Sequence, residues 1–200
     1  MKKLLLTGFE PFLTFSSNPT MKIVEELGGK EINGYSIIGR IMKVDFTKSG
    51  KQIIQFYEEV QPDAVISLGL AGGRTAVTPE RIAINCNDGE ADNSGNIPSG
   101  EKILEEGPDG LFSTLPIKQM TERLKKEGYP AGISNTAGTY LCNHVMYKML
   151  FRLKEEGRTI PSGFIHIPAS HELAIDSGKI PSWSQQDLTN AIRLCIEELS

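Results

Sequence analysis

An α/β fold built on an open, twisted and mostly parallel sheet with helices on both faces is what this 200-residue sequence predicts. Three observations predict it. Short aliphatic and β-branched runs, read as buried strands, alternate with stretches of helical apolar spacing from one end to the other. Loops rich in Gly and Pro follow the apolar runs. No repeat, linker or low-complexity segment interrupts the alternation, so residues 1–200 read as one domain.

The first strand is expected over Lys3–Thr7, ended by Gly8. Pro19–Leu27 carries Met21, Val24 and Leu27 or Ile23 at helical spacing and stops at Gly28-Gly29. Tyr35–Val44 is β-branched and reads as a strand. Thr47–Val60 places Ile53, Ile54, Phe56 and Tyr57 on a helical pattern, and Gln61-Pro62 ends it. Ala64–Leu68 is the next buried strand and runs into Gly69-Leu70-Ala71-Gly72-Gly73-Arg74. Arg81–Asn85 alternates as a strand does, and Asn87–Gly110 reads as loop. Pro116–Glu127 is a predicted helix, with Pro116 suited to the first turn. Ala131–Asn135 is a predicted strand, Cys142–Glu156 a helix closed by Gly157, and Gly163–Ile167 a strand ended by Pro168. Gln185–Leu199 is a last amphipathic helix, with Ser184 and Asp187 at capping-box spacing.

Composition narrows the function. A formal net charge of −4 with scattered Lys and Arg leaves no electrostatic footprint for nucleic acid. The apolar run at Leu4-Leu5-Leu6 is too short for a signal peptide, and no stretch approaches a membrane span. Three widely spaced cysteines, Cys86, Cys142 and Cys195, suit neither a disulfide framework nor a metal site, so a reducing cytoplasmic setting without metal or other cofactor is expected.

Chemistry is expected beyond the carboxyl ends of the strands. Gly8–Phe12, Gly69–Glu80, Thr136–Cys142 and His166-Ile167-Pro168 all fall there. Cys142 opens a helix, where unpaired N–H groups and the positive dipole end favour thiolate. A cysteine nucleophile needs a base and something to orient it. His144 lies two residues along the same predicted helix and points away, and His171 sits in a polar turn. His166, near the end of an apolar strand, is either the base or a packed core histidine. For the orienting carboxylate, Glu10 and Glu80 both follow strands, and Glu80 could equally pair with Arg81 or cap a turn. Cys195 reads as a packed small hydrophobe, and Cys86 has no activating neighbour. Gly69–Arg74 lacks the ending of a phosphate loop, and its glycines are as well explained by close backbone packing.

Four separated stretches together resemble the pyroglutamyl peptidase type I (pyrrolidone carboxyl peptidase) family of cysteine peptidases. They are Thr7–Phe12 with Asn18-Pro19, Gly69–Arg74 with Thr78–Asn85, Asn135–Tyr147, and Gly163–Pro168. The resemblance implies removal of N-terminal pyroglutamate from peptides by a homo-oligomer, often a tetramer. It assigns Cys142 as nucleophile, His166 as base and then acid, and Glu80 as the group orienting His166. It places Phe9, Phe12, Tyr140 and Leu141 in the substrate pocket, with Leu70 and Ala91. The sequence departs from the family pattern where Leu70 stands for the usual Gln and Tyr140 for Phe. The 88–93 stretch is also one residue shorter and lacks an Ile-Pro pair. Two other readings stay open, a pyroglutamyl-binding homologue with lost or altered activity, and a nucleoside phosphorylase-like enzyme.

Overall fold

The computed structural model describes residues 1–11 and 17–199. Strand β1 (Lys2–Phe9) comes first, and Asn18 then starts helix α1 (Pro19–Leu27) by accepting the Thr20 N–H at 3.1 Å. Strand β2 (Glu31–Ile32) turns through Asn33 and Gly34, both at positive φ, into β3 (Tyr35–Met42). That is the Asn-Gly chemistry of a tight hairpin. Helix α2 (Ser49–Val60) ends on Gln61 in the left-handed region, and β4 (Ala64–Leu70) follows. Five short strands come next, β5 (Thr78–Pro79), β6 (Ile82–Ile84), β7 (Asn87–Asp88), β8 (Ser99–Glu101) and β9 (Gly110–Phe112). Helices α3 (Ile117–Lys126) and α4 (Leu141–Glu155) lead to β10 (Ser162–Ile167). The chain finishes with β11 (Ala169–Ser170), α5 (His171–Ser177), β12 (Ser182–Trp183) and α6 (Gln185–Glu197). At the start of α6 the Ser184 hydroxyl accepts the Asp187 N–H at 3.0 Å, the cap that the spacing predicts.

The main sheet has the order β2-β3-β1-β4-β10-β5, with β3, β1, β4 and β10 parallel and antiparallel strands at both edges. Alternation along each strand divides the core in two. Leu4, Leu6, Ile66, Leu68, Ile165 and Ile167 pack against α1, α3 and α6. Leu5, Phe9, Val65 and Phe164 pack against α2 and α4. From β1 the chain moves outward to β3 through α1 and then back across to β4 through α2. The order therefore reverses between β1 and β4, which is where α/β sheets open a crevice. Among the described residues, no helix is long and apolar enough to cross a membrane.

Four expectations need correction. Ala131–Asn135 is not a strand, although it runs beside residues 77–81 in an interrupted parallel ladder. Val77 N–H bonds Pro130 O (3.0 Å), Gly132 N–H bonds Val77 O (3.2 Å), Ser134 N–H bonds Pro79 O (3.0 Å) and Arg81 N–H bonds Ser134 O (2.8 Å). The one missing rung would need an N–H from Pro79, which has none. Within Asn87–Gly110, read as loop, β7 pairs with β8, and β9 pairs with β6 across a long connection. Pro116 precedes α3 as its cap residue and does not enter its first turn, while His171, expected in a turn, opens α5.

His144 is buried on the α2 side of α4, with its Nδ1 2.9 Å from Asn87 Oδ1. A Cβ on Gly50, in the first turn of α2, would lie 2.5 Å from His144 Nε2, so α2 and α4 pack closely here. Burial lowers the His144 pKa to about 4, so the ring is neutral in the fold. The unfolded chain binds more protons than the fold between that value and the ordinary 6.5, so stability falls as pH drops through this window, by up to about 3 kcal/mol. Urea midpoints measured from pH 6.5 to 4.5 should fall steeply for the wild type and less for His144→Gln. His166, whose pKa is also lowered by burial, leaves a residual slope. Equal slopes in the two proteins would contradict this account.

Candidate active site

The site lies where β1, β4 and β10 end on the face covered by α4. Gly69 of β4 stands directly across the ladder from His166 of β10. A Cβ on Gly69 would come within 2.6 Å of the Phe164 ring and 3.0 Å of Cys142 Sγ. Phe164 and His166 are two residues apart on one strand and so share a face. Their rings are 4.9 Å apart. The thiol thus occupies the space that a side chain at 69 would fill, on the face that His166 presents. Close backbone packing, not a phosphate cradle, is the use of this glycine.

His166 is 5% exposed, and its Nδ1 lies 2.7 Å from Glu80 Oε1. Glu80 is fully buried. Its backbone N–H bonds Phe164 O at 2.9 Å, which ties it to β10 directly behind the histidine. The other groups weighed as partners are engaged elsewhere. Arg81 turns to Asn135 Oδ1 at 2.7 Å, and Glu10 is taken up by Lys43 and the Val44 N–H. His144 is held by Asn87, and His171 is exposed with its Nδ1 on the Ser182 hydroxyl at 2.9 Å. Cys195 is packed in the core, as its spacing suggests.

Burial pushes the Cys142 thiol up to about 12, and the Glu80 carboxylate adds to the rise. Arg74 and the residue's own backbone N–H oppose it without prevailing. The thiolate expected from the helix start is therefore not the resting form, because desolvation outweighs what the backbone N–H contributes. Burial likewise lowers the His166 pKa against the raising effect of Glu80, so the ring rests neutral. Desolvation raises the Glu80 pKa, but the hydrogen bonds from His166 and Arg74 bring it below the ordinary value. The Ser134 hydroxyl has a single proton, and in this arrangement it goes to Thr136 O at 3.0 Å. A carboxylate accepts only, so the proton of the His166–Glu80 bond is on Nδ1 and Nε2 is free to take another.

A small pocket opens in front of the thiol, lined by Phe9, Asn18, Val44, Gly69, Leu70, Tyr140, Leu141 and Cys142. Of the residues expected in it, Phe9, Leu70, Tyr140 and Leu141 are on its wall. Phe12 lies outside the described residues. Ala91 is not on the wall; instead its carbonyl accepts the Tyr140 hydroxyl at 3.1 Å, which gives that extra hydroxyl its partner. Asn18 and Val44 were not anticipated, since they reach the pocket from a helix cap and from the end of β3's extension. Asn143 was also missed. Fully buried, it bonds Ile84 N–H (2.8 Å), Ile84 O (2.9 Å) and Cys86 O (2.9 Å), and so fastens the first turn of α4 to β6. That first turn has no side-chain cap. Its N–H groups remain available to an oxyanion beside the thiol. Among the described residues no acidic, His or Cys cluster could hold a metal ion.

A family model described as pyroglutamyl peptidase matches residues 2–200. The pyrrolidone-carboxylate peptidase of Oceanobacillus iheyensis is 56% identical over 98% of this chain and 98% of its own length. That of Lysinibacillus sphaericus is 58% identical over 99% and 97%. The solved pyrrolidone carboxyl peptidase of Thermococcus litoralis superposes with a TM-score of 0.95 at 40% identity, covering 99% of this chain and 93% of that one. The Bacillus amyloliquefaciens pyroglutamyl peptidase I structure gives 0.95 at 40%, covering 99% and 96%. The chain belongs to the pyroglutamyl peptidase family and is a cysteine-type peptidase.

The contact at Gly69 can be tested alone. Gly69→Ala should cost about 1–3 kcal/mol of stability and alter the rate at which iodoacetamide alkylates Cys142. Gly73→Ala should change neither, because nothing lies within 4 Å of a Cβ there. Urea melts and alkylation kinetics on both variants check the difference.

Proposed function

We propose that this enzyme removes the N-terminal pyroglutamyl residue of peptides, with Cys142 as nucleophile, His166 as general base and then acid, and Glu80 orienting His166. The observation that carries the reading is the 2.7 Å bond from His166 to buried Glu80, set across the ladder from the glycine against which the Cys142 thiol lies.

The resting pair is neutral thiol and neutral imidazole. His166 Nε2 takes the thiol proton as sulfur attacks the pyroglutamyl carbonyl carbon, and the C=O electron pair moves onto oxygen. The oxyanion accepts the Cys142 backbone N–H. Glu80, already bonded to Nδ1, stabilises the imidazolium that forms. Collapse breaks the C–N bond, and Nε2 returns the proton to the departing amine. A water, deprotonated by the same nitrogen, then attacks the thioester carbon, releasing 5-oxoproline and restoring the thiol. Pyroglutamate has no free α-amine, and the pocket suits it: among the described residues Asn18 is the one amide side chain on walls otherwise formed by Phe9, Val44, Leu70, Tyr140, Leu141 and the Gly69–Cys142 contact.

The reading extends to a single domain over 1–200, to a reducing cytoplasmic setting supported by three unpaired cysteines, and to a homotetramer. Sedimentation of the purified protein tests the last.

On a pyroglutamyl–coumarin amide the wild type should be active, Cys142→Ala inactive, and Glu80→Gln about 10²–10⁴-fold lower in kcat. Cleavage of prolyl but not pyroglutamyl amides would refute the substrate, and a fully active Glu80→Gln would refute the orienting role. Tyr140→Phe releases the Ala91 carbonyl from the pocket rim, and KM should rise severalfold with kcat nearly unchanged. Steady-state kinetics on that variant decide it.

A further inference from the structure

We propose that Arg74 is a positioning residue for this reaction, holding the Glu80 carboxylate by the oxygen that also bonds His166 and so fixing the imidazole against the thiol. The proposal rests on the Cys142–His166–Glu80 reading above. Glu80 Oε1 receives Arg74 Nη1 at 2.7 Å as well as His166 Nδ1 at 2.7 Å. The other oxygen, Oε2, is buried and has no hydrogen-bond partner among the described residues. All the hydrogen bonds that aim this side chain therefore converge on one atom, and Arg74 supplies one of the two.

Arg74 is itself held from several sides. Its backbone N–H bonds Ala71 O at 2.9 Å, which closes the turn after β4. Nη1 also bonds the Thr78 hydroxyl, and Thr78 stands across the antiparallel ladder from His166. Nη2 reaches Thr136 O at 3.5 Å, in the segment that leads into α4. One guanidinium fork thus touches the residue behind His166, the strand beside it and the approach to Cys142. A planar fork can do this; a point charge on a flexible stem cannot hold all three at once.

The charges argue the same way. His166 meets Glu80 and Arg74, with the Cys142 thiol on its face of the sheet. Glu80 meets His166, Arg74 and the Ser134 hydroxyl. Cys142 is influenced by Glu80 and Arg74, and in turn raises the Tyr140 phenol. Arg74 brings the guanidinium to this group, and its side chain is 31% exposed. Its charge offsets that of Glu80, so protonating His166 leaves the cluster with a net positive charge. Without Arg74 the same protonation would give a neutral pair and would be easier. Arg74 therefore helps keep the imidazole a base, as well as holding its partner in place.

The test measures kcat, KM and the pH dependence of kcat/KM on a pyroglutamyl–coumarin amide for Arg74→Gln, Arg74→Lys, Glu80→Gln and the double variant Arg74→Gln/Glu80→Gln. Arg74→Gln should lose about tenfold or more in kcat with KM little changed, and its acidic limb should move to higher pH. Arg74→Lys should return the limb toward its wild-type position while recovering kcat only in part. In the Glu80→Gln background the Arg74 change should cost little more. Wild-type kcat and pH profile in Arg74→Gln, a loss confined to KM, or an equal loss in both backgrounds each overturns the proposal. If Arg74→Gln does not fold, Arg74→Lys decides: reduced kcat at unchanged KM supports it, and unchanged kcat overturns it. A fully active Glu80→Gln would sink the underlying reading instead, whatever Arg74 does.

Discussion

A carboxylate with no exposed surface has to be neutralised where it sits, and the arrangement around Glu80 follows from that requirement. Its charge is met by His166 from the last parallel strand and by Arg74 from the turn after β4. Its backbone is fastened to Phe164 O, and the neighbouring residues 77–81 are lined on their far side by residues 130–134. That interrupted ladder covers the antiparallel edge and carries the chain toward α4. One buried charge thereby ties together the ends of two strands, a turn and the approach to the thiol. Removing either partner would leave the charge buried with less compensation, which is why such groups are costly to break even where the intact cluster adds little to stability.

The same burial determines the protonation states. A helix start favours an anion by about 0.3–1 kcal/mol, and by up to about 2 in sheltered geometry. The rise of the Cys142 thiol from 9.0 to about 12 corresponds to about 4 kcal/mol in the opposite direction. Desolvation is therefore the larger effect, and a neutral thiol beside a neutral imidazole is the resting state. The nucleophile must then be made at the moment of use, which gives the proposed base its importance. A substrate in the pocket would exclude water further and strengthen each of these interactions.

Much of the fold was legible because periodicity records burial directly. Pro19–Leu27 matches its predicted bounds, and the Ser184–Asp187 cap is where its spacing puts it. What was not legible depends on partners distant in sequence. The pairing of β6 with β9 bridges a long connection, and no local pattern announces it. The strand expected over 131–135 has nearly the right hydrogen bonds, but Pro79 on the opposite segment lacks the donor that would complete the ladder. A one-residue property on another segment decided the outcome.

The site divides along the same line. Cys142 could be singled out because it opens a helix, and His166 because it stands near the end of an apolar strand, where side chains face the crevice. Glu80 could not be separated from Glu10 by spacing, since both follow strands; what separates them is that Lys43 and Val44 meet one while His166 meets the other. Gly69 is the telling case. From sequence it belonged to a glycine-rich loop with two equally good explanations. In the fold it is a strand residue whose missing Cβ admits the thiol, and its register against His166 follows from β4 and β10 being neighbours although more than ninety residues separate them. Chain order places β5 through β9 and two helices between those strands, so the adjacency that assembles the site is a property of topology alone. Arg74 is hidden for the same reason: its role depends on the carboxylate six residues on being buried, and on that carboxylate having a histidine from a distant strand at its other side.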